Sequence, residues 1–162
     1  IEMPQRPMGL LRDELERAIE ELQGASTTIA FTCEHGSSPA AQIGVAVLKL
    51  PCIGMLPPSF VEYALRAGVD GVFVAACSGG DCEFKSGDTL LHQRLTGERE
   101  PLLRASVARE RVCVAQCADV VATELALAQF RAELPAALAA LDQQSAGTVP
   151  AAKAFIRSRS HA

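Results

Sequence analysis

Cysteine is the side chain in this 162-residue sequence best suited to metal or redox chemistry, and it occurs six times. Four cysteines stand at or just after short apolar runs, Cys33, Cys52, Cys77 and Cys117, and Cys82 follows Cys77 in a glycine-containing loop. Thiolates bind soft metals, either as tetrahedral zinc sites or as iron-sulfur clusters. The alternative for a single cysteine is a small buried hydrophobic residue. We assign that role to Cys113, which lies inside a predicted strand.

The spacing of apolar residues predicts the elements that carry these thiols. An amphipathic helix is predicted over 8–23 and strands over 28–32, 43–50, 71–77 and 111–116. The strands alternate with predicted helices over 60–67, 89–108 and 119–141; we expect a weak point at 97–101 and a kink or split at Pro135. This alternation predicts an α/β fold: an open, mainly parallel sheet with helices on both faces, a flavodoxin-like or Rossmann-like three-layer sandwich.

The length of the chain predicts a single domain. We expect a linker and amphipathic helix over 1–27, the α/β domain over 28–142 and a flexible tail over 143–162. A formal charge of -4 and a pI near 5.4 give no basic surface for nucleic acid. No apolar stretch approaches the roughly 20 residues of a membrane span, and no leader pattern opens the sequence. The predicted location is the cytoplasm, where thiols stay reduced.

The predicted fold brings distant cysteines together. In a parallel sheet the carboxyl ends of all strands share one edge, so Cys33, Cys52, Cys77 and Cys117 are expected there, with Cys82 from the loop after Cys77. Spacing does not decide between zinc and iron-sulfur, because the sequence lacks two tight C-x₂₋₄-C pairs. Gly79 and Gly80 in that loop let backbone N-H groups approach sulfur, which tunes a cluster's reduction potential. His35 is either a ligand or a solvated loop residue.

The stretch ALRAGVDGVFVAACSGGDCEFKSGD, residues 64–88, resembles the central motif of the delta subunit of methyl-viologen-reducing hydrogenase, which also occurs fused to heterodisulfide-reductase-like proteins. IAFTCEHG resembles that family's first strand, which ends in C-x-x-C, and VLKLPCIGMLPPSFVEYAL resembles its second cysteine segment. The resemblance extends over roughly residues 28–140.

The resemblance implies an electron-transfer subunit or domain without its own substrate site. It would carry a 2Fe-2S cluster and pass electrons between a hydrogenase or other dehydrogenase and a flavin-containing, heterodisulfide-reductase-like partner. By position, it implies the metal ligands Cys33, Cys52, Cys77 and Cys82. Four thiolates are the number that such a cluster needs.

The sequence departs from the family pattern at four positions near these cysteines. Gly36 replaces a cysteine, Met55 an arginine, and Ser78 and Glu83 histidines. Two outcomes stay open: a cluster completed by the remaining four cysteines, or by Cys117 or His35, and a domain that has lost its cluster and serves as a docking module of the same complex. A zinc or thiol-redox site using Cys77 and Cys82 is a third alternative, although C-x₄-C differs from thioredoxin-type C-x-x-C.

Overall fold

The computed structural model describes residues 6–78 and 82–147, which form a four-stranded parallel sheet with helices on both faces. The spatial order of the strands is β2-β1-β3-β4. They are β1 (Thr28–Cys33), β2 (Val45–Leu50), β3 (Gly71–Cys77) and β4 (Val112–Cys117). The predicted open α/β sheet is thereby confirmed. The order matches the first four strands of the flavodoxin-like arrangement.

The helices of the described residues are α1 (Met8–Glu21), α2 (Pro58–Arg66), α3 (Gly87–Thr96) and α4 (Val120–Gly147), with 3₁₀ turns at Ile53–Met55 and Arg109–Arg111. α2 begins at a proline, which fits the first turn of a helix because its missing N-H is not needed there. The side chain of Asp119 caps α4 by accepting a hydrogen bond of 2.8 Å from the Ala122 N-H.

Burial separates the central strands from the edge strands. Every residue of β1 and β3 is buried, as expected of strands covered on both faces, whereas β2 and β4 are partly exposed. One face of the sheet packs against α1 and α2, with Leu11 and Leu15 fully buried; the other packs against α4 through Leu127, Phe130 and Leu134. The sheet therefore has a core layer on each side.

Two predicted helical features differ from the structure. α3 ends at Thr96 because Gly97 adopts a left-handed conformation, and residues 97–108 contain no helix, so the predicted helix over 89–108 was wrong in its second half. α4 is not split at Pro135 but runs unbroken to Gly147. Pro135 lies on the exposed side of α4, where water can satisfy the carbonyl that loses its partner.

Residues 1–5 and 148–162, which include most of the predicted tail, are outside the described residues. α4 continues through 143–147, which belong to the segment predicted as a flexible tail.

None of the helices within 6–78 and 82–147 combines the length and the apolar character that crossing a membrane requires.

Candidate metal centre

Four cysteines meet at the carboxyl edge of the sheet. Cys33 is the last residue of β1 and Cys77 the last of β3; Cys52 follows β2 and immediately precedes the 3₁₀ turn, and Cys82 follows the loop after β3. All four belong to one continuous core cluster, and each is between 2% and 8% exposed. We call Cys33, Cys52, Cys77 and Cys82 the thiol cluster. The structure brings together the same set that the family resemblance implied.

Burial and the other three thiols raise the pKa of Cys77. Burial raises the pKa of Cys77 to about 12, and Cys33 is the next cause, through both its charge and a hydrogen bond. Cys82 and Cys52 add to the increase. Both causes favour the protonated form of Cys77 in the metal-free chain.

Cys52 has the same neighbours and an additional backbone contact. Burial raises its pKa, the backbone N-H of Gly54 opposes the increase, and Cys82 and Cys33 add to it. An N-H group directed at sulfur stabilises the thiolate, which is the form that binds metal. The 3₁₀ turn thus presents a favourable hydrogen-bond donor to the Cys52 sulfur.

The amino end of α3 contacts two members of the thiol cluster. The Gly87 N-H donates a hydrogen bond of 3.3 Å to Cys82 Sγ. A Cβ on Gly87 would collide with Cys52 Sγ and lie 3.2 Å from Cys82 Sγ. The positive end of the α3 dipole therefore adjoins sulfurs that become negative on metal binding. Glycine at this position is required by the close approach.

Gly36 lies beside two members of the thiol cluster, Cys33 and Cys77. The turn after β1 is fixed by a hydrogen bond of 3.1 Å from the Gly36 N-H to the Cys33 carbonyl. A Cβ on Gly36 would lie 3.3 Å from the Cys33 Cβ and 3.6 Å from Cys77 Sγ. The position at which the family pattern has a further cysteine is thus in contact with the sulfurs.

The residues present fit an iron-sulfur cluster in the chemistry and number of their donors. The thiol cluster supplies four free thiols, and the glycines at 36 and 87 let the backbone approach the sulfurs closely. Within 6–78 and 82–147, no three or more His, Cys, Asp or Glu side chains are arranged as a site for a single ion. Four thiolates are the number of ligands that a 2Fe-2S cluster would take here.

The two alternative ligands, Cys117 and His35, lie beside Cys77. Cys117 pairs with Cys77 between β4 and β3, and both line one pocket with His35. Cys117 packs in the core beneath α4, and its Sγ lies 3.5 Å from the Ala115 carbonyl oxygen. Cys113 is half-buried against that same core. His35 is exposed and stacks edge-on against Phe84, with 5.9 Å between ring centroids. Cys117 and His35 are therefore near Cys77, and their role as replacement ligands stays a prediction.

The loop glycines Gly79 and Gly80 lie outside the described residues, so their hydrogen bonds to sulfur stay a prediction. The described N-H donors are Gly54 and Gly87, which sequence reasoning did not identify. Gly87 lies inside the quoted family motif, whereas the contact itself depends on how α3 packs against a distant turn.

An apolar groove opens beside Cys52. Its volume is about 470 Å³, and it is lined by Cys52, Gly54 and Gly87 together with large apolar side chains that include Met8, Met55, Phe84 and Leu90. Phe84 is 47% exposed. This is a surface where one member of the thiol cluster comes within reach of another molecule.

The chain is similar to proteins of one known family. The family model described as methyl-viologen-reducing hydrogenase, delta subunit, matches residues 28–136. Three similar relatives are iron-sulfur subunits D of F420-non-reducing hydrogenases. The vhc subunit of Methanococcus voltae is 29% identical over 87 residues, 49% of this chain and 60% of the relative.

The subunit of Archaeoglobus profundus is 42% identical over 59 residues, 32% of this chain and 43% of the relative. The vhu subunit of Methanopyrus kandleri is 26% identical over 97 residues, 54% of this chain and 74% of the relative. The chain thus spans 60% and 43% of the lengths of the first two relatives.

Proposed function

The chain belongs to the family of methyl-viologen-reducing hydrogenase delta subunits, and from this premise we propose that it is an electron-transfer component that carries a 2Fe-2S cluster. The observation that carries the proposal is the convergence of four buried thiols from separate strand ends at one edge of the sheet. The relatives are named iron-sulfur subunits, which supports the same cofactor class.

Each part of the site has a defined task in this proposal. Cys33, Cys52, Cys77 and Cys82 hold the irons as thiolates. The Gly87 N-H and the amino end of α3 stabilise negative charge at Cys82 and Cys52. The surrounding core excludes water from the sulfurs. When bound, a 2Fe-2S cluster accepts and releases electrons, which is the chemistry this site would contribute.

The proposed partners are a hydrogenase or other dehydrogenase on one side and a flavin-containing, heterodisulfide-reductase-like protein on the other, in the cytoplasm. Support comes from the family and from the hydrogenase relatives. The groove beside Cys52 offers a contact surface close to the sulfurs, because the Phe84 ring that lines it is exposed. No substrate site of its own is proposed.

Iron and acid-labile sulfide analysis of variants tests the ligand set. Cys77→Ser is expected to lose most bound iron and sulfide, whereas Cys113→Ser, which replaces a half-buried thiol in the other core, is expected to retain both. Circular dichroism checks that both variants fold. Wild-type protein purified without oxygen that is folded but free of iron would instead favour the cluster-free docking module. Loss of iron in both variants alike would contradict the ligand assignment.

A further inference from the structure

Arg94 is a charged residue beside the thiol cluster to which no role has yet been given. It lies seven residues after Gly87 in α3, which at 100° per residue returns it to nearly the same face of the helix. Its Nη1 donates a hydrogen bond of 2.7 Å to the Gly54 carbonyl oxygen. Arg94 and Cys52 line the same groove. The side chain therefore reaches the turn that carries Cys52.

The contacts of Gly54 connect Arg94 to the Cys52 sulfur. The carbonyl of Gly54 accepts the hydrogen bond from Arg94, and the position of a Cβ on Gly87 adjoins both the Gly54 nitrogen, at 3.5 Å, and Cys52 Sγ. A Cβ on Gly54 would lie 2.7 Å from the Gly87 Cα, so the turn and α3 are in direct backbone contact. The 3₁₀ turn is thus held against α3 at two places: by Gly87 at the start of the helix and by Arg94 in its last turn.

The charge of Arg94 has few partners. Its Nε is buried without a hydrogen bond, and among residues 6–78 and 82–147 no carboxylate forms an ion pair with it. Arg94 is half-buried, and partial removal of a cation from water without a counter-ion costs free energy. Thiolates that hold irons carry the negative charge that would compensate it. A guanidinium beside such sulfurs favours the more negative, reduced form.

We propose that Arg94 is a positioning residue of the thiol cluster: it holds the 3₁₀ turn against α3 so that Cys52 faces the other three thiols, and it places a positive charge beside the sulfurs. The second half of this inference rests on the proposed function, and the first half does not, because it concerns the geometry of the metal-free chain.

Alkylation of the metal-free, reduced protein tests the positioning role. Iodoacetamide labelling with mass spectrometry measures the rate at Cys52 and, in the same molecule, at Cys33. In Arg94→Gln we expect a severalfold faster rate at Cys52 with little change at Cys33. The matched control is Arg99→Gln, which removes an exposed arginine just beyond α3 and should change neither rate. An unchanged Cys52 rate in the folded Arg94→Gln variant would overturn the positioning role.

A second variant decides the case in which Arg94→Gln unfolds and all rates rise together. Arg94→Met keeps a side chain of similar reach but removes the donor to the Gly54 carbonyl oxygen. A selective rise at Cys52 in this variant supports the role. A uniform rise, or none, overturns it.

The electrostatic half is tested on protein loaded with iron and sulfide. We expect a lower midpoint potential in Arg94→Gln, a potential near the wild-type value in Arg94→Lys and no shift in Arg99→Gln. An unchanged potential in Arg94→Gln overturns this half. If the wild-type chain takes up no iron and sulfide, the proposed function and the electrostatic half fail together, while the alkylation rates still decide the positioning role.

Discussion

Gly54 and Gly87 approach each other so closely that a Cβ on Gly54 would lie 2.8 Å from the Gly87 carbonyl oxygen. This contact fixes the 3₁₀ turn after Cys52 to the first turn of α3. Because Gly87 also donates its N-H to Cys82 Sγ, the same contact sets the distance between two members of the thiol cluster.

Gly87→Ala is the first prediction. The added methyl group would overlap Cys52 Sγ, so α3 and the turn must separate. We expect reduced iron content and a free energy of unfolding lower by about 1–3 kcal/mol, the usual range for overpacking. The matched control is Gly9→Ala in α1, where a Cβ meets nothing within 4 Å; it should retain iron. Chemical denaturation and iron analysis measure both quantities, and equal behaviour of the two variants would contradict the contact.

Gly36→Cys is the second prediction, and it uses the position where the family pattern has a cysteine. A Cβ there lies 3.3 Å from the Cys33 Cβ, so a thiol at 36 is near enough to replace the one at 33. We expect Cys33→Ser to lose iron and Cys33→Ser with Gly36→Cys to regain a substantial part of it. Gly9→Cys in the Cys33→Ser background adds a distant thiol and should restore none. Failure of the double variant to exceed this control in bound iron would contradict the geometry.

The third prediction concerns pH and Cys113. Its pKa is raised above 9.0, first by burial and then by Cys117 and Glu133. A raised pKa keeps the thiol protonated and unreactive, so we expect slow alkylation at pH 8 and an increase in rate whose midpoint lies above pH 9.0. Glu133→Gln removes one cause and should move the midpoint to lower pH. Peptide mass spectrometry follows the rate, and a midpoint below that of a free thiol would show that Cys113 is not buried as described.

The fourth prediction concerns the groove beside Cys52. Phe84→Ser removes an exposed ring that lines it, so reduction by a bound redox partner should slow while iron content and midpoint potential stay unchanged. Ile43→Ser is the matched control: Ile43 is 86% exposed and lies before β2, at the opposite edge of the sheet. Stopped-flow reduction in the isolated complex measures the rates. Equal slowing in both variants would contradict a contact at this groove.

Much of the fold follows from apolar runs and strand-helix alternation. The stretch from Gly71 to Cys77 was predicted as a strand with its observed bounds, because an unbroken apolar run of this length fits a strand buried on both faces. The convergence of Cys33, Cys52 and Cys77 followed from the parallel arrangement alone. These features depend on local pattern and on topology.

Other features depend on contacts between distant segments and were missed. The meeting of Gly54 with Gly87 and the reach of Arg94 depend on how α3 packs against the turn. The packing of Cys117 in the core beneath α4 had a usable signal. Since alternate residues of a strand share a face, Cys113 and Cys117 both lie on the α4 side.

The most direct test of the central claim is electron paramagnetic resonance of the dithionite-reduced chain after purification without oxygen, with iron and sulfide measured on the same sample. For the wild-type chain we expect a rhombic S = 1/2 signal and about two irons per chain. We expect Cys77→Ser to lose the signal and Cys113→Ser to keep it. A folded wild-type chain with neither the signal nor bound iron would contradict it.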